Sequence, residues 1–194
     1  MNNIILFITI GVLWVIGLTL FSKTKMHFFR FLLGSVGVFL ISMIFFTPFL
    51  ERQISVLISE SLEMIANVTA YFTVFKENSI ISFETKTGII SMFIDYECSG
   101  VIEMLVFTSL LLFFPFGKPA IKLFYAVVGN IFIFIANIIR ILMIVFVSRT
   151  FGAEYFYIAH TLLGRILFFG LMIALYYLVF TVTHLKNQHV GELK

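Results

Sequence analysis

The sequence contains one cysteine, Cys98, at the junction between a polar stretch and a new apolar run. Two other residues that are costly in an apolar environment, Arg140 and His160, lie in or beside later apolar runs. Brought together at one face of a membrane, the three would form a thiol site for acyl transfer, in which the cysteine is the nucleophile. The topology of the chain decides whether they meet.

The neighbours of Cys98 both favour and oppose a reactive thiol. Cys98 begins a predicted helix, and a helix N-terminus favours the thiolate, which is the nucleophilic form. The acidic residues Asp95 and Glu97 oppose it. A reactive Cys98 therefore needs a cation from Arg140 or His160, and without one the cysteine is better explained as a small buried hydrophobic residue.

Arg140 lies within a run of isoleucine and leucine, where a charge is expensive and is a functional hypothesis by default. The alternative is a structural ion pair, for which Glu103 is the obvious partner. Asn137 precedes Arg140 by three residues and Asn130 lies seven before that, so the three form a polar stripe that could orient the arginine or bridge helices. His160 also has a second explanation, as an interfacial histidine without a role.

The composition places the chain among membrane proteins. It has 194 residues, of which 61% are hydrophobic and 12% charged, with a mean hydropathy of +1.10. A soluble domain carries roughly twice that charged fraction, about a quarter. The sequence therefore predicts an all-α polytopic membrane protein with one membrane domain over residues 1–194. It has no basic patch that would indicate nucleic acid binding.

Apolar runs predict about five transmembrane helices. They cover residues 4–21, 31–50, 100–116, 121–148 and 161–182. The first run lacks a basic leading segment and a small-residue cleavage site, so we expect a retained span rather than a signal peptide. The fourth would be roughly 40 Å long as a helix and should tilt or project from one face.

Basic residues indicate the orientation, because cytoplasmic loops carry an excess of Lys and Arg. Loop 23–30 has the strongest positive charge and should be cytoplasmic. The same rule places the loop with Lys118 and Lys122 and the tail with Lys186 and Lys194 in the cytoplasm. An even number of spans must then separate each pair of these segments.

That parity predicts that residues 54–75 do not cross the membrane. They are expected to form an interfacial or re-entrant helix at the outer face, and Glu60 and Glu63 on one turn fit this position. A count of six spans is the alternative, but it would place loop 23–30 outside.

Residues 76–97 change character and predict a small extracytoplasmic β-hairpin. Segments 79–83 and 89–94 are rich in Ile and Phe, and a loop at 84–88 that ends in glycine separates them. Residues 98–183 then supply the helices that would carry the chemistry.

This topology brings the three candidate residues to one face. Cys98 lies at the outer end of the third span and His160 at the outer start of the fifth. Arg140 lies in the outer part of the fourth span, about two turns or roughly 12 Å below Ser148.

The residues and their order resemble the exosortase/archaeosortase family of membrane cysteine transpeptidases. The similarity rests on Cys98-Ser99-Gly100, on the segment 137–141 with the sequence Asn-Ile-Ile-Arg-Ile, and on His160 followed by Gly164. A β-like segment before the cysteine also resembles the family, and the similar region covers roughly residues 76–183. The short chain looks like the compact exosortase type of Gram-positive bacteria.

The resemblance implies a catalytic set of Cys98, Arg140 and His160. It implies supporting positions at Ser99, Gly100, Asn137 and Glu103, the last of which stands where the family often has a serine. It also implies an active site on the extracytoplasmic face of a bacterial cell membrane. Expected substrates are membrane-anchored proteins with a C-terminal sorting signal, made of a short motif, a transmembrane helix and a basic cluster.

Two other interpretations remain open at this point. The chain could be a non-enzymatic membrane assembly factor or transporter subunit, with Arg140 and Glu103 as a structural pair and Cys98 as inert packing. A zinc hydrolase is less well supported, because the histidines are scattered along the sequence and do not offer a ligand set. They are His27, His160, His184 and His189. We expect no cofactor and no metal.

Overall fold

Seven α-helices and a small sheet form the part of the fold that the structure describes. The computed structural model describes residues 2–94, 96–115 and 119–182, with side chains from residue 9 onward except those of Tyr96 and Glu97. The first half contains α1 (Asn2–Lys23), α2 (His27–Thr69), β1 (Thr73–Phe75), β2 (Ile80–Thr85) and β3 (Gly88–Phe93). The second half contains α3 (Tyr96–Ser99), α4 (Val101–Phe113), α5 (Pro119–Phe151), α6 (Phe156–Ile158), a π-helical segment (Ala159–Leu163) and α7 (Gly164–Tyr176), which continues as Tyr177–Val182.

The expected all-α membrane architecture is confirmed. Three helical segments in the described part of the chain are long and apolar enough to cross a membrane: His27–Thr69, Pro119–Phe151 and Ala153–Val182. Thr9–Lys23 and Val101–Phe113 are shorter apolar helices. The latter covers about 20 Å, less than a hydrocarbon core of about 30 Å. Phe116, Lys118, Lys186 and Lys194 of the predicted topology lie outside the described residues.

Helix α2 differs from the expectation of a span that ends near Pro48. The helix continues through Pro48 to Thr69 and has 43 residues, or about 65 Å. A proline removes one backbone donor, and packing against neighbouring helices compensates for this in membrane helices. Pro48 itself is exposed, and the buried stripe that includes Ile58 and Leu62 lies farther along, in the second half of α2. The chain then turns at Ala70, which has a left-handed φ of 54°, so Thr73–Phe75 is a strand and not helix.

The predicted hairpin is present, with one more strand than expected. β1, β2 and β3 form an antiparallel sheet in that order. Ile81 pairs with Met92 and Phe83 with Ile90. Glu84, Thr85 and Gly88 belong to the ladder, so the turn is two residues long, which matches the twist of paired strands better than the five-residue loop expected from the sequence.

Buried apolar side chains form two clusters. The sheet-side cluster joins α2, the sheet, Cys98 and α5; its members are Ile58, Leu62, Ala66, Phe72, Ile81, Phe83, Met92, Ile94, Cys98, Ile141, Ile144, Val145 and Ala159. The helix cluster joins α4, α5 and α7; its members are Phe107, Leu111, Ile133, Ala136, Phe168, Met172, Leu175 and Val179.

Candidate active site

Cys98 lies in the four-residue helix α3, where the chain leaves the sheet and turns into α4. The turn uses Gly100, whose φ of 75° is left-handed and unfavourable for residues with a Cβ. A Cβ added there would lie 3.6 Å from Cγ2 of Ile133 and 3.7 Å from Asn137. A side chain would thus make ordinary contacts here, so it is the left-handed φ that requires glycine; Cys98 itself is buried, with only 4% of its surface exposed.

Ser99 supports the same turn. Its side chain is fully buried, and its hydroxyl oxygen accepts a hydrogen bond of 3.4 Å from the backbone N–H of Val101. A serine that bonds the backbone two residues on stabilises a turn rather than a continuous helix. The sequence Cys98-Ser99-Gly100 thus encodes a break between α3 and α4 directly at the thiol.

His160 approaches Cys98 from the other end of the described chain. Its Nε2 lies 3.3 Å from Sγ of Cys98. His160 belongs to the π-helical segment Ala159–Leu163, a wider turn that is frequent at functional sites. The imidazole also stacks on the ring of Phe156, with centroids 5.7 Å apart. A neutral imidazole whose Nε2 carries no proton accepts the thiol proton at this distance, and an imidazolium donates to the thiolate.

Gly164 sets the distance between the histidine segment and α5. A Cβ at this position would lie 3.1 Å from the carbonyl oxygen of Ala159 and 3.2 Å from Cδ1 of Ile144. The absence of a side chain therefore allows the start of α7 to rest directly on Ile144. Because His160 lies one turn earlier, this contact positions the imidazole relative to α5.

Asn137 links α5 to the nucleophile. It is fully buried, and its Nδ2 donates a hydrogen bond of 2.5 Å to the backbone carbonyl of Cys98. A carbonyl at a helix end has no partner within its own helix. The amide of Asn137 supplies that partner from a residue 39 positions away in the sequence.

Arg140 lies one turn after Asn137 on α5 and is 5% exposed. Its guanidinium carbon lies 5.6 Å from the ring centroid of Phe168 on α7, close enough for a cation–π interaction. Glu103, considered above as the partner of a structural ion pair with Arg140, occupies the first turn of α4.

Phe156 and Phe168 are contacts that the sequence did not reveal. Phe156 precedes His160 by four residues, so helical spacing could have indicated their stacking. Phe168 belongs to a different helix from Arg140, and no local pattern pairs them. Asp95, His184 and His189 lie outside the described residues, as does the side chain of Glu97.

The described residues contain no group of three or more His, Cys, Asp or Glu that could hold a metal ion. His27 starts α2, far along the chain from the cysteine–histidine pair. The Cys98–His160 pair can carry out nucleophilic attack by sulfur, with the imidazole as the group that takes and returns a proton.

Two cavities flank the end of α5. One of about 490 Å³ is lined mainly by apolar residues of α2 and α5, including Val145 of the sheet-side cluster. The other, of about 700 Å³, lies against the sheet. Arg149 and Tyr71 border both. Nη1 of Arg149 donates to the carbonyl of Tyr71 at 2.6 Å, which joins the ends of α2 and α5.

A comparison with protein families identifies the chain. The model of the transmembrane exosortases (Exosortase_EpsH) matches residues 2–178. The chain belongs to this family.

Membership in the exosortase family confirms the resemblance seen in residues 76–183 and extends it over α1 and α2. It supports a transpeptidase-type role for a multi-pass membrane protein, with membrane proteins that carry sorting signals as the general class of substrate. No curated protein and no solved structure matches the chain.

Proposed function

We propose that the chain is a membrane thiol peptidase and transpeptidase that cleaves the C-terminal sorting signals of membrane-anchored surface proteins, then transfers or releases them. The observation that carries the proposal is the distance of 3.3 Å between Sγ of Cys98 and Nε2 of His160. The only thiol of the chain thus has a base within hydrogen-bonding distance, which is the arrangement that activates a cysteine nucleophile.

The first half-reaction forms a thioester. His160 takes the proton of the Cys98 thiol, and sulfur attacks the carbonyl carbon of the scissile peptide bond to give a tetrahedral oxyanion. The carbon–nitrogen bond then breaks, and the imidazolium returns its proton to the leaving amine. The products are the thioacyl-enzyme and the released C-terminal fragment of the substrate.

The second half-reaction reverses the proton transfers. His160 now takes a proton from the acceptor, which is an amine, another nucleophile or water, and the acceptor attacks the thioester carbonyl. Collapse of the intermediate releases the Cys98 thiolate, which the proton on His160 neutralises. An amine acceptor gives transfer of the surface protein, and water gives its release.

Arg140 acts as the electrostatic group in this scheme. A buried guanidinium one turn from Asn137 would stabilise the developing oxyanion or the thiolate, because charge stabilisation is strong where water is excluded. Ser99 and Gly100 support the turn that carries Cys98, and Glu103 is a further supporting position at the start of α4. The site would face outward, with residues 54–75 at the outer surface of a bacterial, Gram-positive cell membrane.

The test is substrate processing in cells that co-express a membrane-anchored protein with a C-terminal sorting signal. We expect Cys98→Ala to abolish cleavage, His160→Ala to reduce it by about 10²-fold or more, and Arg140→Ala to reduce it strongly. Arg165→Ala is the matched control, because Arg165 is an exposed arginine on α7. Mass spectrometry should find a thioester on Cys98. Unchanged processing by Cys98→Ala would overturn the proposal.

A further inference from the structure

The amide of Asn137 has an orientation that the structure determines. Its nearest polar neighbour is the backbone carbonyl of Cys98, at 2.5 Å. A carbonyl can only accept a hydrogen bond, so the atom that faces it must be the NH₂ group. The oxygen Oδ1 therefore points elsewhere, and it is buried without a hydrogen-bond partner among the described residues.

The buried Oδ1 offsets part of the stability that the hydrogen bond of Nδ2 contributes. Burying an amide oxygen without a partner costs free energy that a leucine of similar shape would not incur. The bond that Asn137 does make holds the one backbone group next to the thiol. The hydrogen bond comes from α5. Near Gly100, the α5 atoms closest to the turn belong to Ile133 and to Asn137 itself.

We propose that Asn137 is a positioning residue that holds Cys98 in reach of His160. By fixing the Cys98 carbonyl to α5, it sets the direction of the Cα–Cβ bond and hence the place of Sγ. His160 is positioned against the same helix by the contact of Gly164 with Ile144. Contacts with α5 thus position both the nucleophile Cys98 and the base His160. The inference rests on the proposed function only for its catalytic meaning; the positioning itself is measurable on the thiol.

Asn130 provides a matched control on the same helix. It lies two turns before Asn137, and its Nδ2 donates to Thr108 Oγ1 at 3.1 Å and to the carbonyl of Ala126 at 2.8 Å. Its Oδ1 is likewise buried without a partner among the described residues. The two asparagines therefore differ in what they hold: Asn130 bridges α5 to α4, and Asn137 holds the nucleophile.

The experiment measures alkylation of Cys98 by iodoacetamide as a function of pH, in the full chain reconstituted in liposomes. The single cysteine makes the signal specific. We expect Asn137→Leu to move the pH midpoint of alkylation upward by about one unit, and so to slow alkylation about tenfold at neutral pH. Asn130→Leu should leave the midpoint in place.

A purely structural role predicts a different result. Asn137→Leu would then change the amount of folded protein or its melting temperature, while the pH midpoint of the folded fraction stays that of the wild type. That outcome overturns the inference but leaves the proposed function intact. Conversely, if Cys98→Ala still processes substrate, the proposed function fails, while the alkylation midpoint still decides whether Asn137 positions the thiol.

Discussion

The helix cluster and the sheet-side cluster both include residues of α5, but they pack different elements against it. The helix cluster packs aliphatic and aromatic side chains of α4, α5 and α7. The sheet-side cluster packs strands and helix ends around Cys98. Asn137 and Arg140 lie on α5 between Ala136 of the first cluster and Ile141 of the second. The polar residues of the site therefore occupy the boundary, where each cluster supplies one wall.

The difference teaches that stability and site geometry have partly separate sources. Phe107 packs so closely on Gly129 that a Cβ at the glycine would overlap its ring, which is helix packing through a small residue. Around Cys98 the close contacts instead involve turns, a π-helical segment and a hydrogen bond from Asn137. Changes in the helix cluster should therefore act mainly on the free energy of unfolding, and changes near the boundary mainly on the thiol.

The largest expected effect is that of Phe107→Ala in the helix cluster. Phe107 is fully buried, so the substitution should lower the free energy of unfolding by about 3–5 kcal/mol, measured by denaturant titration in detergent micelles. The pH midpoint of Cys98 alkylation should not change while the variant remains folded. Phe124→Ala, at an exposed position of the same membrane region, is the control. A shifted midpoint would show that the clusters are not separable.

The second largest effect is expected for Gly164→Leu, which tests whether the contact of Gly164 with Ile144 positions His160. The added side chain would collide with Ile144 and should cost about 1–3 kcal/mol by overpacking. It should also slow Cys98 alkylation, because His160 moves with the start of α7. Combining it with Ile144→Ala should restore both quantities in part. If alkylation is unaffected, His160 is positioned by something other than this contact.

A smaller effect distinguishes two serines of α2 that border the sheet-side cluster. Ser59 is fully buried and its Oγ has no hydrogen-bond partner among the described residues, whereas Oγ of Ser55 donates to the carbonyl of Ile94 at 3.3 Å. Ser59→Ala should raise the free energy of unfolding by about 1 kcal/mol, and Ser55→Ala should lower it by about the same amount. Equal signs for the two variants would contradict this assignment of their partners.

The smallest effect concerns the ion pair at the rim of the sheet-side cluster, where Nζ of Lys76 lies 2.5 Å from Glu63. The hydrogen bond to Glu63 raises the pKa of Lys76 above its ordinary value. The contribution of the pair is therefore complete at neutral pH and disappears as pH rises through that raised pKa. Glu63→Gln should lower the melting temperature slightly at neutral pH and not at all once Lys76 is deprotonated. An equal difference at both extremes of pH would point to packing instead.

Much of the fold could be predicted because its signals are local. Hydrophobic runs predicted the helices, and Ile- and Phe-rich segments on either side of a glycine-containing loop predicted the hairpin. The continuity of α2 could not be predicted in this way, since Pro48 is a local signal for a helix end, whereas membrane helices tolerate proline. The third strand, β1, could not be predicted either, because its three residues follow an apolar helix without a distinct pattern.

The site was predicted from residue type and from a topology that placed the three candidates on one face, without any side-chain contact. Cys98, Arg140 and His160 stood out because thiol, guanidinium and imidazole are rare in apolar runs, and their catalytic roles remain predictions. The alternative of a structural Glu103–Arg140 pair likewise stays a prediction, because opposite charges in neighbouring spans carry no information about the direction each side chain takes.

The sequence by itself determined a polytopic membrane protein, its hairpin and the three residues worth testing, because hydropathy, strand propensity and rare polar residues are properties of short segments. The tertiary structure alone decided that Cys98 meets His160, 62 positions away, and that Asn137 holds the Cys98 carbonyl from 39 positions away. Such contacts depend on how helices of similar composition dock on one another. At Gly164, for example, the close approach to Ile144 depends on a helix that lies elsewhere in the sequence.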